Sequence, residues 1–166
     1  MATLAAALAR RHGVDSRRAV LAGWLHDWLK PWPTARLLRL LSRYHERLDA
    51  PTRRLPVIWH GPAAAAWARH ALGLTDRGVL DAVRWHTTGR PGMTALDRIL
   101  FIADFAAAGR DFPEARVARR LAGRDLGLAT RYCLASKLAW LRSRGARPHP
   151  AAFAAWHHES VGPVRA

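Results

Sequence analysis

No stretch of this chain alternates apolar and polar residues with period two, whereas apolar residues recur at helical spacing almost from end to end. That pattern leaves an all-α fold, and at 166 residues the chain is long enough for a single domain with a real core. Helices are expected over residues 2–11, stopped at Gly13, and from an Asp15 or Ser16 cap to about Leu29, ahead of Pro31 and Pro33. Leu37, Leu38, Leu40 and Leu41 mark a helix from Thr34 to Tyr44, and Pro51 to Trp59 reads as a short irregular segment. Further helices run from Pro62 to Gly73 and from Asp76 to near His86. Residues 87–93, TTGRPGM, form a loop, and Thr94 with Asp97 has the spacing of a capping box that opens a helix to about Ala108. Two helices follow at about 114–122 and 125–144, then a short one over 151–158 within a tail of residues 151–166.

Composition narrows the setting. Lys and Arg total 27 against 12 Asp and Glu, a formal charge of +15 that suits a phosphate-rich partner. The same skew, rich in Ala and Arg and lean in Lys, also follows from a GC-rich genome. Cys133 is the only cysteine, so no internal disulfide forms and a reducing, cytoplasmic setting is expected; the thiol reads as a small core residue. No apolar run is long enough to span a bilayer, and the opening MATLAAALARRHG lacks the charge order of an export signal.

The chemical signal lies in carboxylates placed among apolar neighbours. Asp27 stands inside GWLHDWL and Asp104 inside ILFIADFAAA. Burying an unpartnered carboxylate costs several kcal/mol, so each needs a positive partner. The nearby sequence offers only Lys30 and Arg98, and a shared cation would satisfy both. His26, His60 and His86 fall at or near helix ends, where several helices can converge. A set mixing imidazole nitrogen with carboxylate oxygen suits Fe, Mn, Zn or Co better than Mg or Ca, and Asp27 could bridge two such ions. Trp24, Trp28, Trp59 and Trp85 lie close to these residues in sequence; core packing is their expected role ahead of purine stacking. His12, His45, His70, His149, His157 and His158 lack a comparable setting and read as surface or tail.

The order HD, H, H, D resembles the HD-superfamily metal phosphohydrolases. The segments GVDSRRAVLAGWLHDWLK, HGPAAAAWA, VRWHTTGRPGMTALDRILFIADFAAAGRDFP and RGARPHP bring it closer to the YqeK-type symmetrical bis(5′-nucleosyl)-tetraphosphatases. The resemblance covers residues 12–150 and rests most on HTTGRPGM and GRDFP. It implies one all-helical HD domain with a di-iron centre, hydrolysing diadenosine tetraphosphate to two ADP. It makes His26, Asp27, His60, His86 and Asp104 metal ligands, gives Asp27 and Lys30 catalytic roles, and places Lys30, Thr87, Thr88, Gly89, Arg90 and Arg110 around the nucleotide. Lys30, Arg90 and Arg110 are the cations that would offset phosphate charge, with TTGRPG as a phosphate-holding loop.

Two departures accompany the resemblance. The family carries a further His ligand in an Arg-x-x-His segment, which the alignment puts four residues before Met1, so Met1 is expected not to be the natural start. It also carries Glu-Pro where this chain has Ala107 and Ala108. Two other functions compete: an HD phosphatase acting on another nucleotide, and a catalytically silent nucleic-acid-binding module. The second lacks any RNA-binding motif, so nucleic acid is the weaker reading of the charge, and a homodimer is left open.

Overall fold

A computed structural model describes residues 1–161, and among them there are ten α-helices, one 3₁₀ turn and no strand. In order they are α1 (Ala2–Arg11), α2 (Ser16–Leu25), α3 (Thr34–Arg43), α4 (Ala50–Arg53), the 3₁₀ turn Pro56–Ile58, α5 (His60–Ala71), α6 (Arg77–Trp85), α7 (Ala95–Phe105), α8 (Pro113–Ala122), α9 (Leu126–Ser143) and α10 (Pro150–Val161). The caps of α2, α6 and α7 are those the sequence suggests, and Asp125 adds one for α9. Asp15, Asp76 and Asp125 side chains accept backbone N–H groups at the starts of α2, α6 and α9, and Thr94 with Asp97 forms the full capping box of α7.

α7 is the central helix, packed on α1, α2, α6, α8 and α9. Ile99, Leu100, Phe101, Ile102 and Ala103 are all buried, which explains why this helix is apolar on nearly every face. α5 meets α6 through small residues, with Ala63, Ala64, Ala65, Ala66 and Ala68 buried. Gly61 marks their closest approach: a Cβ there would lie 2.8 Å from the Arg84 carbonyl and 3.4 Å from the His86 ring. No helix is long and apolar enough to cross a membrane among the described residues.

Four expectations are corrected. His149, expected at the surface or in the tail, is buried beside Thr52. α2 ends at Leu25 rather than Leu29; Lys30 N–H then donates to Asp27 and Trp32 N–H to Leu29, tight i−3 turns ahead of Pro31 and Pro33. Trp24 and Trp28 are not core residues but 69% and 60% exposed, because Ala22, Leu25 and Leu29 take the inward face. Trp28 instead stacks on Trp67 of α5. The tail is also more ordered than expected. α10 reaches Val161, and Glu159 is buried against Arg98 of α7, with oxygen–nitrogen distances of 3.0 and 3.1 Å. The last five residues of the expected tail, 162–166, lie outside the described residues.

Candidate metal centre

His26, His60 and His86 arrive from three different places: the C-terminal end of α2, the first residue of α5 and the C-terminal end of α6. Their rings are fixed in one way. Each Nδ1 donates to the carbonyl three residues earlier: His26 to Gly23 at 2.7 Å, His60 to Val57 at 2.9 Å, His86 to Val83 at 2.7 Å. A carbonyl only accepts, so the proton of each neutral ring is committed to Nδ1 and the lone pair of Nε2 points elsewhere.

Those lone pairs point at one another and at Asp27. His60 Nε2 and His86 Nε2 are 3.2 Å apart. Asp27 Oδ1 lies 3.3 Å from the first and 3.4 Å from the second, is buried, and has no hydrogen-bond partner. Asp27 Oδ2 is 3.4 Å from His26 Nε2, which is in turn 3.9 Å from Asp104 Oδ1. Donor atoms of Asp27, His60 and His86 fall within 4.8 Å of one another, as do those of His26, Asp27 and Asp104. The two groups share Asp27.

Electrostatics keep the cluster rich in lone pairs. Burial works to raise the Asp27 pKa, but the facing imidazoles and Lys30 outweigh it and hold the carboxyl well below the usual range. Asp27 therefore stays an anion. Burial pushes the His86 imidazole below its ordinary pKa, helped by His60 and His26 and opposed by Asp27 and the Val83 carbonyl. With the ring protons on Nδ1, His86 Nε2 faces His60 Nε2 and an unpartnered Asp27 oxygen, an arrangement of lone pairs around one space. A metal cation fits it, and the i−3 carbonyls supply the orienting contacts such ligands need.

Other predicted site residues divide into two groups. Lys30 Nζ is 2.7 Å from Asp27 Oδ2, and Arg110 Nη2 is 3.1 Å from Asp104 Oδ1. Lys30 is the partner the sequence offered for Asp27, whereas Asp104 is met by Arg110 from the turn after α7 and Arg98 pairs with Glu159 instead. Arg90, by contrast, is turned to a structural task. It bonds Asp97 at 2.9 Å and Asp81 at 3.2 Å, bracing the capping box of α7. Thr88 is buried and its hydroxyl donates to the Gly89 carbonyl. Gly89 has φ +68°, and a Cβ there would press on Ala155 and Met93 at 3.3 Å. Thr87 presents its carbonyl to Lys137 Nζ, a residue of α9 that the sequence reading did not single out. Cys133 is buried and its thiol pKa is pushed up to about 12, so it is a core residue as expected.

The sequence profile of the HD domain matches residues 1–109. The chain belongs to the HD domain family. This HD domain is similar to the symmetrical bis(5′-nucleosyl)-tetraphosphatase of Bacillus subtilis (strain 168), 33% identical over 147 residues that cover 88% of this chain and 78% of the relative. It is also similar to the enzyme of the same name from Halalkalibacterium halodurans, 31% identical over 90% of this chain and 80% of that one. A crystal structure from Clostridium acetobutylicum superposes on the HD domain with a TM-score of 0.91 at 28% identity, covering 96% of this chain and 85% of its own. That protein is described as a "predicted HD superfamily hydrolase involved in NAD metabolism".

Proposed function

We propose that this HD domain is a metal-dependent hydrolase that cleaves diadenosine tetraphosphate symmetrically into two ADP. The observation that carries the reading is the cluster of imidazole nitrogens around the partnerless Oδ1 of Asp27, in a chain similar over most of its length to two symmetrical tetraphosphatases. His26, Asp27, His60, His86 and Asp104 are the residues that would hold the metal. Asp27 belongs to both donor groups, which favours two adjacent ions, and the mixed N/O set accords with iron. When bound, such ions supply positive charge to the attacked phosphate and lower the pKa of water.

The chain's own residues supply the rest. Asp27, held as an anion, accepts a charge-assisted bond from Lys30 at Oδ2 and leaves Oδ1 without a hydrogen-bond partner. Lys30 and Arg110, half-exposed at the rim, are placed to meet phosphate oxygens. In the reaction, a water oxygen bonds to one central phosphorus, the central bridging P–O bond breaks, and the bridging oxygen leaves on the other ADP. One domain suffices for this reading, and a single buried thiol accords with a cytoplasmic setting.

Chromatography of the initial products tests it. The metal-loaded protein should give ADP alone from diadenosine tetraphosphate; AMP with ATP would reject the symmetric reading. The Clostridium neighbour's description favours one competitor, a nucleotide of NAD metabolism, and faster turnover of NAD or its mononucleotide in the same assay would replace the tetraphosphate.

A further inference from the structure

Of the 27 cationic side chains in this chain only two are lysines, Lys30 and Lys137, and every other one is an arginine. They are far apart in sequence, yet both lie at the metal centre. Lys30 bonds Asp27. Lys137 reaches from α9 to donate to the Thr87 carbonyl at 2.5 Å, directly after His86. Its ammonium stands 5.3 Å from the ring centre of Phe101, one helical turn before Asp104. Where an arginine-rich chain keeps lysine at one site only, that site calls for a compact charge with freely turning donors instead of a planar fork.

The setting of Lys137 is unlike that of the other cations at the centre. Lys30 and Arg110 are each paired with a carboxylate and half-exposed to solvent. Among the described residues Lys137 has no carboxylate within ion-pair distance, and one hydrogen bond occupies one of its three N–H donors. Burial pushes its pKa below the ordinary lysine value; Asp104 opposes this, while Arg110 and Lys30 add to it. An ammonium drawn out of water without a counter-ion is unfavourable, and the remedy is an anion brought in from outside.

We propose that Lys137 is a binding residue for the polyphosphate chain of the nucleotide, forming with Lys30 and Arg110 a three-cation cradle beside the metal ligands. Polyphosphate fits because several adjacent oxygens can each take one of these cations, and because no side chain in the described residues neutralises Lys137. The inference rests on the functional reading above for the identity of the substrate, but the need for an anion at Lys137 stands apart from it.

Two variants test it: Lys137→Met, which keeps length without charge, and Lys137→Gln, which keeps a donor for the Thr87 carbonyl without charge. Metal content, melting temperature, ADP affinity, and kcat and KM for diadenosine tetraphosphate are measured for both beside the wild type. Both should keep the metal, and Lys137→Met should melt no lower than the wild type because a desolvated charge is gone. ADP affinity should fall, and KM rise, by roughly tenfold or more, the scale of one charge-assisted bond. Wild-type ADP affinity and KM in Lys137→Gln would overturn the proposal. So would a lowered melting temperature and kcat in Lys137→Met with KM unchanged, which would make Lys137 a tether for the loop. If the wild type binds ADP through Lys137 yet leaves diadenosine tetraphosphate intact, the substrate reading fails and this one survives.

Discussion

Four histidines are buried in this protein, and two regions use them in opposite ways. In the centre, His26, His60 and His86 donate from Nδ1 to a carbonyl and aim bare Nε2 atoms inward. In the corner between α4 and α10, His149 accepts the Ala151 N–H at Nδ1, at 3.1 Å, so its proton sits on Nε2 and is donated to Thr52 at 3.1 Å. The histidines of both regions are buried, but only in the first do their Nε2 atoms face one another and a carboxylate oxygen that has no hydrogen-bond partner. Burial therefore does not distinguish a candidate ligand histidine from a structural one, whereas the direction of the backbone bond separates the two sets here.

The largest effect should come from breaking the acceptor cluster at its hub. Asp27→Ala should remove the metal and lower hydrolysis by more than roughly 100-fold, the upper end for losing even an outer contact in a metal site. Compared as metal-free proteins, the variant should melt no lower than the wild type, since one of several facing acceptors has gone. A loss of about 3 kcal/mol or more in the metal-free state would instead make Asp27 a buried ion-pair member. Gly61→Ala tests whether the backbone really sets the rings. Its Cβ would press on the Arg84 and Val83 carbonyls, the second being the His86 acceptor. We expect a loss of about 1–3 kcal/mol in urea unfolding, the usual scale of overpacking, together with weaker metal binding. Unchanged metal affinity would show that the carbonyl clamps are dispensable.

The smallest effect belongs to the other corner. Burial depresses the His149 pKa, with Asp49 opposing, so below about pH 6.5 the unfolded chain takes up a proton that the folded chain resists. Stability should thus fall as pH drops from 7.5 to 5.5, and His149→Gln should flatten that slope. The difference between the two urea-midpoint profiles should amount to about 1 kcal/mol or less. An identical slope in the variant would show that His149 titrates normally.

Much of the site could be read from the sequence because its strangeness is local. A carboxylate amid apolar helix residues is visible without coordinates, and so are the caps of α2, α6 and α7. What could not be read depends on how loops return. Arg90 reads as a phosphate contact until Asp81 and Asp97 are seen beside it. Lys137 lies among Ser136 and Leu138 on a long helix, and only its contact with Thr87 brings it to the centre. The lysine scarcity was in view from the start, but it acquires meaning only once both lysines are found in one place. Trp24 and Trp28 misled because their one-turn spacing fits either face of a helix, and the face was decided by Ala22, Leu25 and Leu29.

Metal removal and return tests the central claim most directly. The purified protein is stripped with a chelator, assayed on diadenosine tetraphosphate, and then titrated with ferrous, manganous or zinc ion while bound metal per chain is counted. The stripped protein should be inactive, and activity should return in step with metal bound to the wild type but not to Asp27→Ala. Full activity in the stripped protein, or equal metal uptake by the two, would contradict it.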